Sequence, residues 1–339
     1  MQRLNPSLAA LLESLAARLG ARCDDWSDAI LGQNYGAVPL RPGVLPGDRR
    51  GFNLLLLGRN GRPRHFAKCR PGEDRGLLDE TALLARIAAD PRGKGHVVAA
   101  VAGFDARMTV QLAAFNPGEL LVHYLMRVSA AALTTALVEI LETAAQLGVI
   151  ADGDTVSPPL DLMAEGAAPL QAAIKAGLEP VRAERLASAL RAAGAVPSLC
   201  QHGDLWSANV LRSSDGWLLI DFEQFGKLRV PMVDALQLSR ATAELRFPSH
   251  GEPWVGRFAE ESAHATFCRG VLGWARRQAG LSDRQALGAV AFGLLEISAR
   301  FYLAGRSEPA WLPALDSARA CADFLADEAK ARHYLFGER

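Results

Sequence analysis

Residues 201–211, QHGDLWSANVL, decide how the rest of the chain is read. Gly203 next to Asp204, with Asn209 close behind, disfavours a helix, and so many turn formers disfavour a strand. The stretch reads as a loop leading into a strand at Val210, and loops carry chemistry more often than cores do. Downstream, NVLR, the turn SSDG and WLLIDF form a short hairpin that folds back and brings Asp221 towards Asn209. Asn209 and Asp221 then offer two oxygen ligands to a hard cation such as Mg²⁺, which usually takes one or two carboxylates, water and substrate phosphates. Asp204 is left to accept a proton from an attacking hydroxyl. Taken singly, these residues are ordinary turn formers and strand-end caps. Their joint spacing is what points to chemistry.

The chain around this loop has 339 residues, 50% of them hydrophobic, which is enough for two domains or one bilobal domain. A formal net charge of +0 gives no overall field directed at nucleic acid or an anionic membrane. Cys23, Cys69, Cys200, Cys268 and Cys321 lie far apart without a CxxC pair, so reduced thiols in a cytoplasm are expected. No membrane span is expected: the run HVVAAVAGF is far short of the roughly 20 apolar residues a span needs. In the first 35 residues, Leu8, Leu11, Leu12, Leu15 and Leu19 fall at helical spacing behind Asn5 and Pro6, and Glu13 interrupts any signal-peptide core.

Residues 36–114 read as β-rich, in the order strand, strand, strand, helix, strand, strand. FNLLLLG and RHFAKC flank Asn60-Gly61, a strong hairpin signal. RGLLDETALLARIAA carries the helix, and HVVAAVAGF and ARMTVQLAAF follow as strands. AFNPGE makes the natural hinge, and residues 115–339 read as mostly helical apart from the hairpin. The expected organisation is therefore an N-terminal helical extension (1–35), a small lobe (36–114) and a large helical lobe (115–339).

HGDLWSAN followed by LLIDFE resembles the aminoglycoside phosphotransferase and choline kinase group of small-molecule kinases, relatives of the protein kinases. The protein-kinase loop has the form H-R-D-x-x-x-x-N, followed by D-F-G. Here Gly203 stands for the Arg and DFE for DFG, and no A-P-E follows, all of which fit the small-molecule branch. The resemblance implies an α+β, bilobal protein-kinase-like fold: a small antiparallel β-sheet lobe with one helix, and a larger, mostly helical lobe. It implies ATP and Mg²⁺ as cofactors, Asp204 as catalytic base, and Asn209 and Asp221 as metal ligands. His202 would support the loop, and Asp234 would brace it. Asp234 also reads as a plain N-terminal helix residue, and Glu223 as either a metal contact or a surface residue.

The resemblance also assigns the small lobe. Lys68, late in a strand, would reach the α- and β-phosphates, and Glu80 would be its ion-pair partner, with Glu73 the alternative in a nearby register. Without the loop motif, Lys68 would read as an edge-strand lysine. Adenine is expected against main-chain groups of Gln111, Leu112 and Ala113. Gly43, Gly47 and Gly51, with Arg49 or Arg50, offer either a phosphate roof or a Pro/Gly turn.

The expected function is ATP- and Mg²⁺-dependent phosphorylation of a hydroxyl on a small molecule: a sugar, an aminoglycoside or an amino alcohol. Residues 230–339 hold 13 acidic and 13 basic side chains, which does not favour a polycationic acceptor. Trp254, Trp274 and Trp311 could stack on a sugar ring or sit in the core. The rival readings are a non-catalytic nucleotide-binding scaffold on the same fold and a protein kinase. Retention of Lys68, Asp204, Asn209 and Asp221 together opposes the first, and the missing Arg and A-P-E oppose the second.

Overall fold

The computed structural model describes residues 6–21, 26–33, 36–39, 51–105, 107–153, 155, 157–247, 262–303 and 308–336. In chain order the elements are α1 (Pro6–Arg18), β1 (Trp26–Gln33), β2 (Gly36–Pro39), β3 (Phe52–Gly58), β4 (Pro63–Pro71), α2 (Arg75–Ala89), β5 (Ala100–Phe104) and β6 (Met108–Ala114). They continue with β7 (Glu119–Leu120), α3 (Leu121–Leu125), α4 (Ala130–Asp152), β8 (Leu160–Asp161), α5 (Leu162–Lys175), α6 (Pro180–Ala193) and β9 (Ala195–Val196). The last are β10 (Val210–Ser213), β11 (Gly216–Leu219), α7 (Val233–Arg246), α8 (Ala263–Gln278), α9 (Asp283–Leu303), α10 (Glu308–Phe324) and α11 (Glu328–Phe336). The chain divides into two compact units, one of Met1–Gly118 with Arg212–Glu223, the other of Glu119–Leu211 with Gln224–Arg339.

The first unit is built on a six-stranded sheet in the order β2-β1-β3-β4-β6-β5, whose paired strands are antiparallel. In β3 the side chains of Phe52, Leu54 and Leu56 turn inward alternately, as the period of two requires. Gly61 closes the β3–β4 turn at φ 71°, its N–H bonded to the Gly58 carbonyl at 2.8 Å. Leu8, Leu12 and Leu15 of α1 share one core with Leu54, Leu56, Ala67, Cys69, Val110 and Leu112. The same alternation puts Lys68 and Gln111, cross-strand partners, out of step with Ala67, Cys69, Val110 and Leu112. Helix α2 starts at the cap Asp74, whose side chain accepts from Leu77 N–H, and buries Leu77, Glu80, Thr81, Leu84 and Ile87.

One feature departs from the expected organisation. The first 35 residues are not a helical extension alone: Trp26–Gln33 forms β1, paired along β3. WSDAILGQ hides this, because Ser27, Asp28 and Gly32 break the apolar alternation a strand announces. The extension's helix, α1, packs into the core of this unit.

The second unit is mostly helical, with α9 packed against α5, α6 and α10. Ser129 caps α4 by accepting from Ala132 N–H. Asp161 caps α5, which runs through Pro169. Helix α4 is long and apolar enough to cross a membrane by length and composition, a candidate missed in the sequence, yet 56% of its apolar window is buried within the fold, as in a core helix. Cys69, Cys200, Cys268 and Cys321 are buried. Burial pushes the Cys69 and Cys321 thiols up to about 12. Cys23, Gly43, Gly47, Arg49, Arg50 and Trp254 lie outside the described residues.

Candidate active site

In the first unit the charged groups gather around Lys68. Its Nζ donates to Glu80 Oε1 at 2.9 Å and Oε2 at 3.3 Å, and to Asp221 Oδ1 at 2.7 Å. Glu223 Oε1 stands 3.7 Å away and accepts from Arg70 Nη2 at 2.7 Å. Arg70 follows Lys68 by two residues, so both side chains leave β4 on one face. Glu80 also accepts from the Phe222 backbone N–H at 3.1 Å. Glu73 pairs at the surface with Arg75 instead, which resolves the choice of partner in favour of Glu80. Burial works to lower the Lys68 pKa, but the carboxylates of Glu80, Asp221 and Glu223 outweigh it and hold the ammonium above its ordinary value. Asp221 sits at φ 66°, a left-handed conformation unusual for a residue other than glycine. Such strain gathers at functional positions.

Gln111, Leu112 and Ala113 do not fit the expected adenine contact. They lie in the C-terminal half of β6, opposite Lys68, Ala67 and Phe66 of β4 on one side and Ala102, Val101 and Ala100 of β5 on the other, Ala113 being the last residue paired with β5. A strand flanked on both sides has its N–H and C=O groups committed to the ladders. Gln111 is nonetheless ordered: it donates to Thr81 Oγ1 at 2.9 Å, and Thr81 donates to the Leu77 carbonyl at 2.8 Å. Leu112 is a fully buried core residue. The two-sided ladder ends at Ala113; Ala114 pairs with β4 alone, and Phe115 N–H bonds back to the Arg64 carbonyl at 2.8 Å.

In the second unit the loop of residues 201–209 hangs from α7. Asp234 is buried and accepts from His202 N–H at 2.7 Å and Gly203 N–H at 2.9 Å, one on each carboxylate oxygen. Gln237, one turn further along α7, accepts from Leu205 N–H at 3.0 Å and donates to the Gly203 carbonyl at 3.2 Å. Burial pushes the Asp234 carboxyl up to about 6, against the two backbone hydrogen bonds and Arg300, which lower it. Gly203 adopts φ +77°, and a Cβ there would lie 2.8 Å from the Gln224 carbonyl oxygen. That is why no side chain stands where the protein-kinase motif has an arginine.

Between the clamped peptides, the Asp204 side chain keeps 39% of its surface exposed. Asn209 is buried and donates its amide N–H to the Asp204 carbonyl at 2.9 Å and to Asp204 Oδ2 at 3.2 Å. Its NH₂ being spent on Asp204, its oxygen is the amide's remaining polar atom. One carboxylate and one amide oxygen, Asp221 and Asn209, are donors of the kind Mg²⁺ takes. Among the described residues no group of three or more His, Cys, Asp or Glu could hold a metal unaided. Taken residue by residue, these donors suit a hard divalent cation that keeps water and phosphate ligands. His202 is buried, with its ring edge-on to Phe225 at 5.9 Å, consistent with loop support.

Three side chains here escaped the sequence reading. Gln237 follows Asp234 by three residues, a helical spacing that could have suggested a shared face. Arg70 shares a strand face with Lys68 by the period of two. Arg300, whose Nη1 donates to the Gly203 carbonyl at 2.7 Å, leaves no local signal at all.

The model of the phosphotransferase enzyme family matches residues 44–280. Comparison with curated proteins found no match. Among solved structures, a glucosamine kinase in complex with glucosamine, ADP and inorganic phosphate is 17% identical, with a TM-score of 0.53 covering 93% of this chain and 85% of that one. The ADP-bound aminoglycoside phosphotransferase APH(2'')-Ib is 12% identical, with a TM-score of 0.54 covering 95% and 99%. Choline kinase from Cryptosporidium parvum is 9% identical, with a TM-score of 0.55 covering 96% and 95%. At these identities the likeness shows the fold alone, the α+β kinase-like fold expected from the sequence.

Proposed function

The chain belongs to the phosphotransferase enzyme family, and from that premise we propose that it transfers the γ-phosphoryl group of ATP to a hydroxyl of a small molecule, with Asp204 as the base. The observation that carries this reading is the state of the 201–209 loop. Backbone N–H groups at 202, 203 and 205 are all held by Asp234 and Gln237, while the Asp204 carboxylate stays partly exposed. A carboxylate fixed by its backbone and partly exposed is what a positioned base requires.

In the reaction, Asp204 accepts the hydroxyl proton as the acceptor oxygen bonds to the γ-phosphorus and the bond to the β-phosphate oxygen breaks, leaving ADP. Phosphoryl transfer asks little covalent chemistry of the protein, so positioning and charge neutralisation do most of the catalysis. Lys68, oriented by Glu80, is the cation for the α- and β-phosphates. Mg²⁺, when bound, supplies charge neutralisation on the phosphates, and Asp221 and Asn209 are the residues that would hold it. We place adenine's main-chain contacts on the Asn116 N–H and the carbonyls of the segment from Phe115 to Gly118, since the Phe115 and Gly118 N–H groups already donate to Arg64 and Asn116.

The acceptor is proposed as a sugar, an aminoglycoside or an amino alcohol. The relatives named above include kinases of glucosamine and choline. The even balance of acidic and basic side chains in residues 230–339 favours an acceptor of low charge over a polycation.

The test is ADP release from Mg-ATP over a panel of aminoglycosides, hexoses, heptoses, ketosamines, choline-like amino alcohols and nucleosides. Asp204→Asn should abolish turnover with the active acceptor class and leave Mg-ATP binding nearly intact, whereas Asp221→Ala should weaken Mg-ATP binding itself. Equal loss of ATP affinity in both variants, or undiminished turnover in Asp204→Asn, would overturn the assignment.

A further inference from the structure

Arg70 follows Lys68 on β4 and leaves the strand on the same face. Its Nη2 donates to Glu223 Oε1 at 2.7 Å, and that same oxygen lies 3.7 Å from Lys68 Nζ. One carboxylate oxygen therefore sits between two cations and is bonded to Arg70. The guanidinium is held on its other side as well, where Nη1 donates to the Cys69 carbonyl at 3.2 Å. Gly51, just ahead of β3, leaves room for the side chain to pass: a Cβ there would lie 2.5 Å from Arg70 Cδ and 2.8 Å from Nη1. That close approach accounts for Gly51 as a packing position. The Arg70 side chain is 25% exposed and that of Glu223 42%, and a loosely held pair at that exposure would contribute little. Here the fixed course of the arginine sets where the Glu223 carboxylate goes.

The consequence falls on Lys68. An ammonium group has three N–H donors. Glu80, whose two oxygens straddle Nζ at 2.9 and 3.3 Å, and Asp221 at 2.7 Å take two of them, leaving one for a further acceptor. Glu223, at 3.7 Å, is close enough to take that donor by a small rotation of its side chain. The charge of the whole cluster acts in the same direction. Two cations face three carboxylates, an excess of one negative charge that would become two without Arg70. Loss of Arg70 therefore turns the cluster against a polyanion twice over, by filling the open donor and by adding net negative charge.

We propose that Arg70 is a positioning residue for nucleotide binding: it holds Glu223 off Lys68 and so keeps one Lys68 N–H open to a phosphate oxygen. Glu223 is then the partner of Arg70 and not a metal ligand. The proposal rests on the reading of Lys68 as the phosphate cation, and half of its test needs no nucleotide. In the nucleotide-free protein, urea unfolding of Lys68→Met, Glu223→Gln and their double variant gives the coupling between the two residues. With Arg70 in place the coupling should be at most about twofold in the unfolding constant, and on Arg70→Met it should reach about fivefold, because Glu223 then turns to Lys68. If Lys68→Met leaves the buried Glu80 too poorly compensated to fold, the cycle is run on Glu80→Gln, where both buried charges go together. The other half is calorimetric titration with ATP, once with Mg²⁺ and once with a chelator. Arg70→Met should weaken binding about tenfold in both, the loss of one charge-assisted hydrogen bond. Arg70→Lys, which keeps a cation beside Glu223, should lose less than about threefold, and adding Glu223→Gln to Arg70→Met should bring the affinity back to within about threefold of the wild type. A double variant as weak as Arg70→Met, or a Lys68–Glu223 coupling that does not grow on Arg70→Met, overturns the role of Arg70. Glu223→Gln that weakens ATP binding only with Mg²⁺ overturns it too, by making Glu223 a metal ligand. Undiminished ATP affinity in Lys68→Met, with the coupling growing as expected, would instead overturn the reading of Lys68 and leave the hold of Arg70 on Glu223 standing.

Discussion

Asp234→Asn separates the two things Asp234 does. In the wild type, burial lifts the carboxyl from 3.8 to about 6. A carboxyl that holds its proton more tightly when folded makes stability fall as pH rises, because over that window the folded state binds more protons than the unfolded one. The contribution is fully present below about pH 4 and lost once pH passes about 6. Two units at about 1.4 kcal/mol each make it about 3 kcal/mol. The amide variant carries no such titration. It retains one acceptor oxygen for two donors, the His202 and Gly203 N–H groups at 2.7 and 2.9 Å. Leaving one buried N–H unpaired costs about 1–3 kcal/mol.

At pH 8 these effects oppose each other, and the variant should lie within about 2 kcal/mol of the wild type. Between pH 4 and pH 7 the wild type should lose ground to the variant by about 3 kcal/mol. Urea unfolding of both proteins at unit pH steps measures this directly. Activity should tell a different story: with one peptide of the loop released, kcat at pH 8 should fall at least about tenfold even though the fold is intact. Parallel stability curves across pH 4–7, or a variant that loses ground as pH rises, would refute the argument that a buried ionised Asp234 braces the loop.

Gly203→Ala should cost about 2 kcal/mol or more in thermal unfolding and depress kcat as well, because alanine disfavours φ +77° and its methyl group would meet the Gln224 carbonyl oxygen at 2.8 Å. A variant of wild-type stability would mean that the loop takes another conformation. Leu12→Ala, at a position only 1% exposed on α1, should lose about 2–5 kcal/mol by urea unfolding. A loss below about 1 kcal/mol would mean that α1 is not part of the first unit's core.

Much of the local structure was legible because its causes are local. Asn60-Gly61 marked its turn, since glycine reaches φ 71° without strain. Arg75–Ala89 was legible from apolar residues at helical spacing. Trp26–Gln33 was not legible as a strand, because what makes it one is the ladder along β3 rather than its own alternation. Gln111–Ala113 was placed in a strand but misread as a nucleotide contact. Whether a strand's backbone is free depends on how many neighbours it has, and β5 supplies the second.

Sequence alone determined that His202, Asp204 and Asn209 share one loop, that Lys68 sits on a strand with Glu80 on the following helix, and that the order of elements is that of a small-molecule kinase. Spacing within a turn or across a short hairpin carries that information, because chain connectivity leaves few ways to arrange residues so near in sequence. Only the tertiary structure decided that Glu80 rather than Glu73 meets Lys68, that Arg70 and Glu223 join that cluster, and that Asp234, Gln237 and Arg300 hold the peptides around Asp204. Arg300 reaches that loop from 97 residues away. A contact of that separation is set by which faces of the helices pack together, and packing is a property of the whole apolar surface rather than of any stretch that can be read in isolation.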